Sequence, residues 1–342
     1  MNDLRDNLVK LDINDLLNCL KVNTVKVPPH ENAKSAFDKY LVNISTRSSS
    51  SIFQMRKFHN WIKETLITNV TGYYYSLNPE PINLLDIAVG RGGDISKWDN
   101  AWISNVFGFD LSSESINERS ITSPGALARL ENFTNPKHLA HVEFHVGNAV
   151  KPDNELINSL NTFIVKYGQF QIVSCQFALH YFFKSKLDLG NVLKLVSLVL
   201  KPGGFFIGTA VDGEKIKQLL GDNDTYNGKL FTVNKVSFKK KDPFGNKYTF
   251  MINDSTDKTN YFNTMGVSTE YLVNFDVLEK MAKDNKLEVV KLNFFEPYLR
   301  SFTILKQNQN HLSFQDIKYT KVIDKSQLEI SHLNSVFVFK KI

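Results

Sequence analysis

The stretch LLDIAVGRGGD, residues 84–94, sets two carboxylates around three glycines. Gly90, Gly92 and Gly93 let a backbone come close to a ligand, because no Cβ stands in the way. The turn is not G-x-G-x-x-G, since Ala88 occupies the place of the first glycine, and no G-K-[ST] follows to make a P-loop. About twenty residues on, Asp110 stands where an acid takes the ribose hydroxyls of a bound nucleoside. Asp86 would repel a pyrophosphate held at a helix N-terminus. Asp86 and Asp94 suit instead a ligand without phosphate and with a cationic end. S-adenosyl-L-methionine fits, with its ribose, ammonium and sulfonium. On the turn alone a nicotinamide dinucleotide or a phosphate ligand stays open. So does the ordinary reading, in which the acids merely end a strand and begin a helix.

A second constellation is SCQFALHYFF, residues 174–183. It gathers an amide, an imidazole and several aromatics at one strand end. Gln176 has the donors and acceptor to pair with an adenine edge. Phe177, His180, Tyr181 and Phe182 offer walls for a flat base. The competing explanation is an aromatic run that fills a core.

The elements that must position these residues are legible in the periodicity. INLLDIAV, NVFGFDL, HVEFHVG, FQIVSCQFAL and GGFFIGTAV are short runs rich in β-formers, spaced by helix-length segments. That alternation predicts a parallel sheet with helices on both faces. The glycine turn and the aromatic segment then lie side by side at the strands' carboxyl ends. LKLVSLVLKPGG predicts a helix stopped by Pro-Gly-Gly before a strand. Residues 228–252 alternate around D-P-F-G, which predicts an inserted antiparallel hairpin. FDVLEKMAKDNKLEVVKLNFF predicts a helix and a strand, and NSVFVFKKI a last strand. Residues 52–67 fit a helical face only loosely, and residues 295–330 are weakly patterned. Pro28-Pro29 interrupts a short amphipathic start, so residues 1–45 are expected to be an arm or linker before a domain at 46–342.

Bulk properties exclude several classes. There are 342 residues, and 41 basic against 35 acidic side chains give a net charge of +6, a mild hint at an acidic partner such as nucleic acid. The only cysteines are Cys19 and Cys175, without metal-ligand spacing, so disulfide scaffolds and zinc sites are not expected. No apolar run is long enough to span a membrane, and the first residues carry no signal-peptide core.

In order along the chain, SIFQMRKFHNWIKETLI, LLDIAVGRGGDISKW, SCQFALHYFF, LKPGGFFIGT, KKKDPFGNKYTF, STEYLVNF and SVFVF resemble the motifs of the mRNA cap guanine-N7 methyltransferase family over about residues 50–342. The resemblance implies an α/β, Rossmann-like class I fold dependent on S-adenosyl-L-methionine. Its sheet is mostly parallel and seven-stranded, with helices on both faces and an inserted antiparallel hairpin. The implied reaction is methyl transfer to guanine N7 of a GpppN cap, with S-adenosyl-L-homocysteine as product and capped RNA as partner. SPGALARL, from Ser123, resembles an insertion in capping enzymes of large cytoplasmic DNA viruses of the poxvirus and asfarvirus kind. That kinship implies triphosphatase and guanylyltransferase domains upstream and a cytoplasmic virus factory or virion; a cellular protein would be nuclear.

By the same resemblance Lys63 reaches the methionine carboxylate, the Ala88 backbone and Gly90 approach the cofactor, and Asp86 lies beside its amino end. Asp110 holds the ribose, Asn148 faces adenine, and Gln176 and Tyr181 complete the pocket. On the cap side it implies His59 and Asn60, with Arg91, Lys97 and Arg129 toward the triphosphate. His180, Tyr181 and Glu270 surround and position the guanine. A carboxylate at Glu270 accepts from guanine N1–H and N2–H₂ together, which adenine cannot satisfy. The family's stacking tyrosine falls at Asn334, so the stacking face comes from elsewhere, Phe337 or Tyr181, or is absent. Guanine N7 carries no proton to remove, so no acid or base is expected. Two other readings are a methyltransferase of another substrate and a catalytically silent stimulatory subunit.

Overall fold

The computed structural model describes residues 50–121, 123–252, 268–290, 303–304, 311–319 and 321–342. The expected arm at 1–45 lies outside them. The described residues open with α1 (Phe53–Leu77), followed by β1 (Ile82–Ile87), α2 (Ile95–Asn100) and β2 (Ile103–Asp110). Next come α3 (Ser113–Asn117), α4 (Ala126–Glu131), β3 (His141–Val146), α5 (Asn154–Tyr167) and β4 (Phe170–Gln176). A 3₁₀ turn, Leu179–Lys184, leads to α6 (Lys186–Val199), β5 (Leu200–Val211) and α7 (Gly213–Leu220). After these lie β6 (Thr225–Asn227), β7 (Phe231–Ser237), β8 (Lys247–Ile252), β9 (Ser268–Tyr271), α8 (Phe275–Asp284) and β10 (Leu287–Val289). The final elements are β11 (Thr303–Ile304), β12 (His311–Ser313), β13 (Ile317–Lys318), α9 (Lys325–His332) and β14 (Asn334–Lys341).

The main sheet runs β10-β14-β5-β4-β1-β2-β3, with β12 also paired to β14. β1 to β5 are parallel, and β14 is antiparallel to both β5 and β10. This is the expected Rossmann-like, mostly parallel sheet, with eight strands in place of the expected seven because β12 joins it. Its two faces bury separate cores, as the alternation within β4 requires. Val173 joins Leu160 and Phe163 of α5 and Val192 and Val196 of α6. Ile172 joins the other core, with Phe58, Ile62 and Leu66 of α1 and Trp98 of α2. Side-chain caps start the helices: Asp153 accepts the Leu156 N–H at 2.8 Å, and Asn274 accepts the Val277 N–H at 2.9 Å. Among the described residues no helix is long and apolar enough to cross a membrane.

Three details differ from the expectation. Helix α1 is longer than 52–67, because its buried stripe is Phe58, Ile62, Leu66, Val70 and Tyr74. That i, i+4 row is regular once Trp61 is set aside. Pro202-Gly203-Gly204 lies inside β5 as an irregularity, where the register with β4 shifts and Gly203 takes φ +82°. The inserted hairpin β7–β8 is the middle of a four-stranded antiparallel sheet, flanked by β6 and β9. Those flanks are three and four residues long, too short for a period-2 signal.

Candidate active site

The first half of the site is built where β1, β2 and β4 end. Ala88 and Gly90 take φ +60° and +56°, both left-handed. The Ala88 methyl group is therefore strained, by roughly 1–2 kcal/mol. Ala88→Gly is expected to raise stability by up to about 1 kcal/mol, after allowing for glycine's greater freedom when unfolded. A thermal melt reads this, and a lowered melting point would contradict it.

The three glycines divide their work. A Cβ added at Gly90 or Gly93 meets no protein atom within 4 Å, so the backbone there borders open space. At Gly92 it would press on Ile95 at 3.1 Å and Ala126 at 3.2 Å, so this glycine serves packing. Asp110 is buried at the end of β2, where Oδ2 accepts the Gly90 N–H at 2.8 Å and Oδ1 the Ser112 N–H at 2.9 Å. The acid thus fixes the glycine turn against its own strand.

Asp86 is 3% exposed on β1, beside Ser174 of β4. Burial pushes its carboxyl well above the usual range and Asp94 adds to this, while Lys63 and a Ser174 hydrogen bond oppose it. Burial also works against ionised Asp94, yet the Lys63 and Lys97 ammoniums win and hold it down to about 2. Lys63 Nζ lies 2.6 Å and Lys97 Nζ 2.9 Å from the same Asp94 oxygen. A raised acid binds its proton in the folded state where the unfolded chain has released it. Its effect on stability is therefore unfavourable above the unfolded pKa. Asp86→Asn is expected to raise the melting temperature at pH 7 while weakening a cationic ligand. A variant that melts lower at pH 7 yet gains stability relative to wild type at pH 3 would reverse that sign.

The second half comes from the 3₁₀ turn and the small sheet. His180 is 5% exposed, and neither ring nitrogen has a hydrogen-bond partner. Orphaned buried groups of this kind cost about 1–3 kcal/mol. Burial lowers the His180 pKa, against the pull of Glu270, so the ring is neutral near pH 7. Tyr181 lies 4.1 Å from it, ring to ring, tilted by 57°. Glu270 is on β9, opposite Tyr248 of β8, whose hydroxyl donates to Oε2 at 2.5 Å. Burial, with Glu270 adding, pushes that hydroxyl well above its ordinary pKa, so it stays a donor. Glu270 does not cap the helix that follows; Asn274 does.

Other candidate residues fall as follows. His59 stacks on Phe177 at 5.2 Å, and its Nε2 lies 3.0 Å from Ser331 Oγ. Burial and then Lys63 push its pKa down to about 3. Asn60 is exposed beside it on α1. Gln176 spends its amide on Ser174 Oγ at 3.2 Å and on the Thr209 hydroxyl, which donates at 3.0 Å. Asn148 Oδ1 already accepts the Val150 N–H at 2.9 Å, which leaves its NH₂. That end suits an adenine ring nitrogen, whereas the exocyclic amino group would need the oxygen.

The cations expected at a triphosphate point inward. Lys97 is buried and donates to Gly93 O at 2.9 Å. Arg91 is buried and donates to Ser123 O and Glu114 Oε1, both at 2.5 Å. Arg129 Nε donates to Pro124 O at 3.2 Å. In this arrangement they brace the turn and the segment from Ser123. Asn334 is buried, and its amide donates to Ile330 O and Ser331 O at the end of α9. Phe337 is 1% exposed, packed on Phe206 and Phe339. Neither offers a face to a base.

Phe177 is half-buried and held at φ +54°, an outlier for a bulky residue. Phe314 meets both Phe177 and His59 edge-on. Tyr248 carried no signal except alternation with Phe250, since only strand register sets it against Glu270.

A model of the mRNA (guanine-N(7))-methyltransferase domain matches residues 22–342. The chain belongs to this family. It is 30% identical over 260 residues to "mRNA cap guanine-N(7) methyltransferase 1" of Arabidopsis thaliana, covering 72% of this chain and 62% of that protein. It is 31% identical over 277 residues to "mRNA cap guanine-N(7) methyltransferase" of Drosophila melanogaster, covering 78% and 58%. The chain thus spans about three fifths of the length of these curated relatives. They are a plant and an insect protein, so the viral kinship drawn from SPGALARL finds no support in them. Among solved structures, a S-adenosylmethionine-dependent methyltransferase from Clostridium acetobutylicum aligns over 80% of this chain and 90% of its own, at 17% identity and TM-score 0.45.

Proposed function

We propose that this member of the cap methyltransferase family transfers a methyl group to guanine N7 of a 5′ GpppN cap on RNA. One observation carries the reading: a buried carboxylate, Glu270, held by Tyr248 beside the orphaned imidazole of His180. A carboxylate with one of about four lone-pair sites used can still accept from guanine N1–H and N2–H₂. Tyr181, half-buried and 4.1 Å from the His180 ring, supplies an aromatic face beside it.

The donor set fits S-adenosyl-L-methionine. Asp110 is an acceptor for ribose hydroxyls, Asp86 and Asp94 for an ammonium, and Lys63 a partner for a carboxylate. Gly90 and Gly93 leave the space open beside them. When bound, S-adenosyl-L-methionine supplies a methyl group already activated on sulfonium. The chain's own task is then to place guanine, exclude water and hold the Glu270 side chain in position through Tyr248. Such orientation supplies on the order of 7–11 kcal/mol in favourable cases. No residue removes a proton, because N7 carries none.

The direct test incubates labelled S-adenosyl-L-methionine with GpppG- and ApppG-capped RNA and identifies m7GpppG after nuclease digestion. Transfer to metabolites alone would favour another substrate. Cofactor binding without any transfer would favour a silent subunit. The pH profile is a second check. A His180 that is already neutral and removes no proton predicts no His180-dependent limb in kcat/KM between about pH 7 and 8.5. A unit-slope limb between about pH 7 and 8.5, abolished by His180→Gln while cap binding persists, would establish a base and sink this mechanism.

The finer viral reading is also a proposal. It rests on the segment from Ser123, which Arg91 ties to the glycine turn. It assigns the chain to a longer capping enzyme with triphosphatase and guanylyltransferase activity, working in the cytoplasm. The mass of the native polypeptide tests it.

A further inference from the structure

The turn between β7 and β8 is the most basic short stretch near the site. Residues 235–247 hold Lys235, Lys239, Lys240, Lys241 and Lys247 against the single acid Asp242. The turn is a rigid element. Asn246 Oδ1 accepts the Lys239 N–H at 2.6 Å, and Asn246 Nδ2 donates to Asp242 O at 2.7 Å. It is also fastened to the 3₁₀ turn of the guanine site. The Gly245 N–H donates to Phe183 O at 2.9 Å, and Phe244 stacks on Phe183 at 5.7 Å. From Phe183 back to His180 is three residues, at most about 11 Å of chain.

With α7 the turn lines a shallow hollow that exposes Lys217, Lys239, Lys240 and Lys241, with Glu214 and Asp242 as its acids. The acids are spent locally: Glu214 pairs with Lys217 at 2.7 Å, and Asp242 with Lys239 at 2.8 Å. Lys240 and Lys241 are exposed and have no acidic partner among the described residues. Two unneutralised ammoniums on a fixed turn beside a nucleotide pocket match phosphates spaced along a chain, not a compact anion.

We infer that Lys240 and Lys241 bind the phosphodiester backbone of the RNA a few nucleotides downstream of the cap. This deepens the proposed function and rests on it for the direction of the strand. Each phosphate neutralised on single-stranded RNA adds about 0.7 to the salt slope. Two lysines therefore carry about 1.4 of that slope, and on the order of tenfold in affinity at physiological salt.

The test is Lys240→Gln/Lys241→Gln in the full chain; both side chains are exposed, so the fold does not depend on them. Anisotropy of a labelled, uncapped single-stranded RNA of about twenty nucleotides is read across salt concentrations. KM is read for capped RNA of that length and for the GpppG dinucleotide. The expected variant binds uncapped RNA about tenfold more weakly at 0.15 M salt, with the slope smaller by about 1.4. Its KM rises in proportion for capped RNA and not for the dinucleotide. Unchanged RNA affinity and slope would overturn the inference, and so would a dinucleotide KM that rises as far as that for RNA. If wild type methylates neither substrate while its RNA binding still depends on the two lysines, the proposed reaction fails and the surface stands.

Discussion

Glu270→Gln is expected to lower kcat/KM for a GpppG-capped substrate by about 10²–10³-fold, since each lost charge-assisted hydrogen bond is worth about 1.5–3 kcal/mol. The amide keeps an oxygen for the Tyr248 hydroxyl, so the small sheet should stay intact. It loses the ability to accept two guanine donors at once. An inosine cap lacks the N2 amino group and makes one of those bonds fewer. Its loss in the variant should therefore be smaller, and wild-type preference for guanosine over inosine caps should shrink. Tyr248→Phe tests the support: it keeps the carboxyl group but removes the hydrogen bond that orients it. A rise of about tenfold in KM is expected, one hydrogen bond to a charged group being worth about 1.5–3 kcal/mol at most. If Glu270→Gln works within threefold of wild type on GpppG, guanine is recognised elsewhere.

Asp110→Ala is expected to weaken S-adenosyl-L-homocysteine binding by at least about 100-fold, because two losses coincide. The ribose loses its acceptor. The Gly90 and Ser112 N–H groups, which meet the carboxylate at 2.8 and 2.9 Å, lose theirs. The Ser112 N–H is buried, and a buried donor left unpaired costs about 1–3 kcal/mol. Asp110→Asn separates the two, since its single oxygen can keep one backbone bond. The asparagine variant should recover part of the melting temperature but little of the affinity. Calorimetry showing full affinity in Asp110→Ala would remove the cofactor from this turn.

Several parts of this protein follow from local sequence. The β-rich runs fix five parallel strands, because side-chain alternation and run length act over a few residues. The glycine turn marks where a backbone can come close to a ligand, and Asp110 is marked by its place at the end of the next strand. Helix caps such as Asp153 and Ser185 are equally local.

What depended on distant chain was not legible. Gly90, Gly92 and Gly93 look alike in sequence, yet only the packing of Ile95 and Ala126 separates the structural one from the two that border open space. Arg91 and Lys97 read as outward phosphate contacts; Glu114, Ser123 and Asp94 turn them inward. Asn334 and Phe337 held positions in a motif, but a helix end consumes one and the sheet's core the other. Tyr248 becomes part of the site only through antiparallel register, which pairs it with a residue 22 positions away. Charge, polarity and period are properties of the residue and its neighbours. The partner that neutralises a charge, or the strand that faces a hydroxyl, is supplied by chain far away, and only folding brings it there.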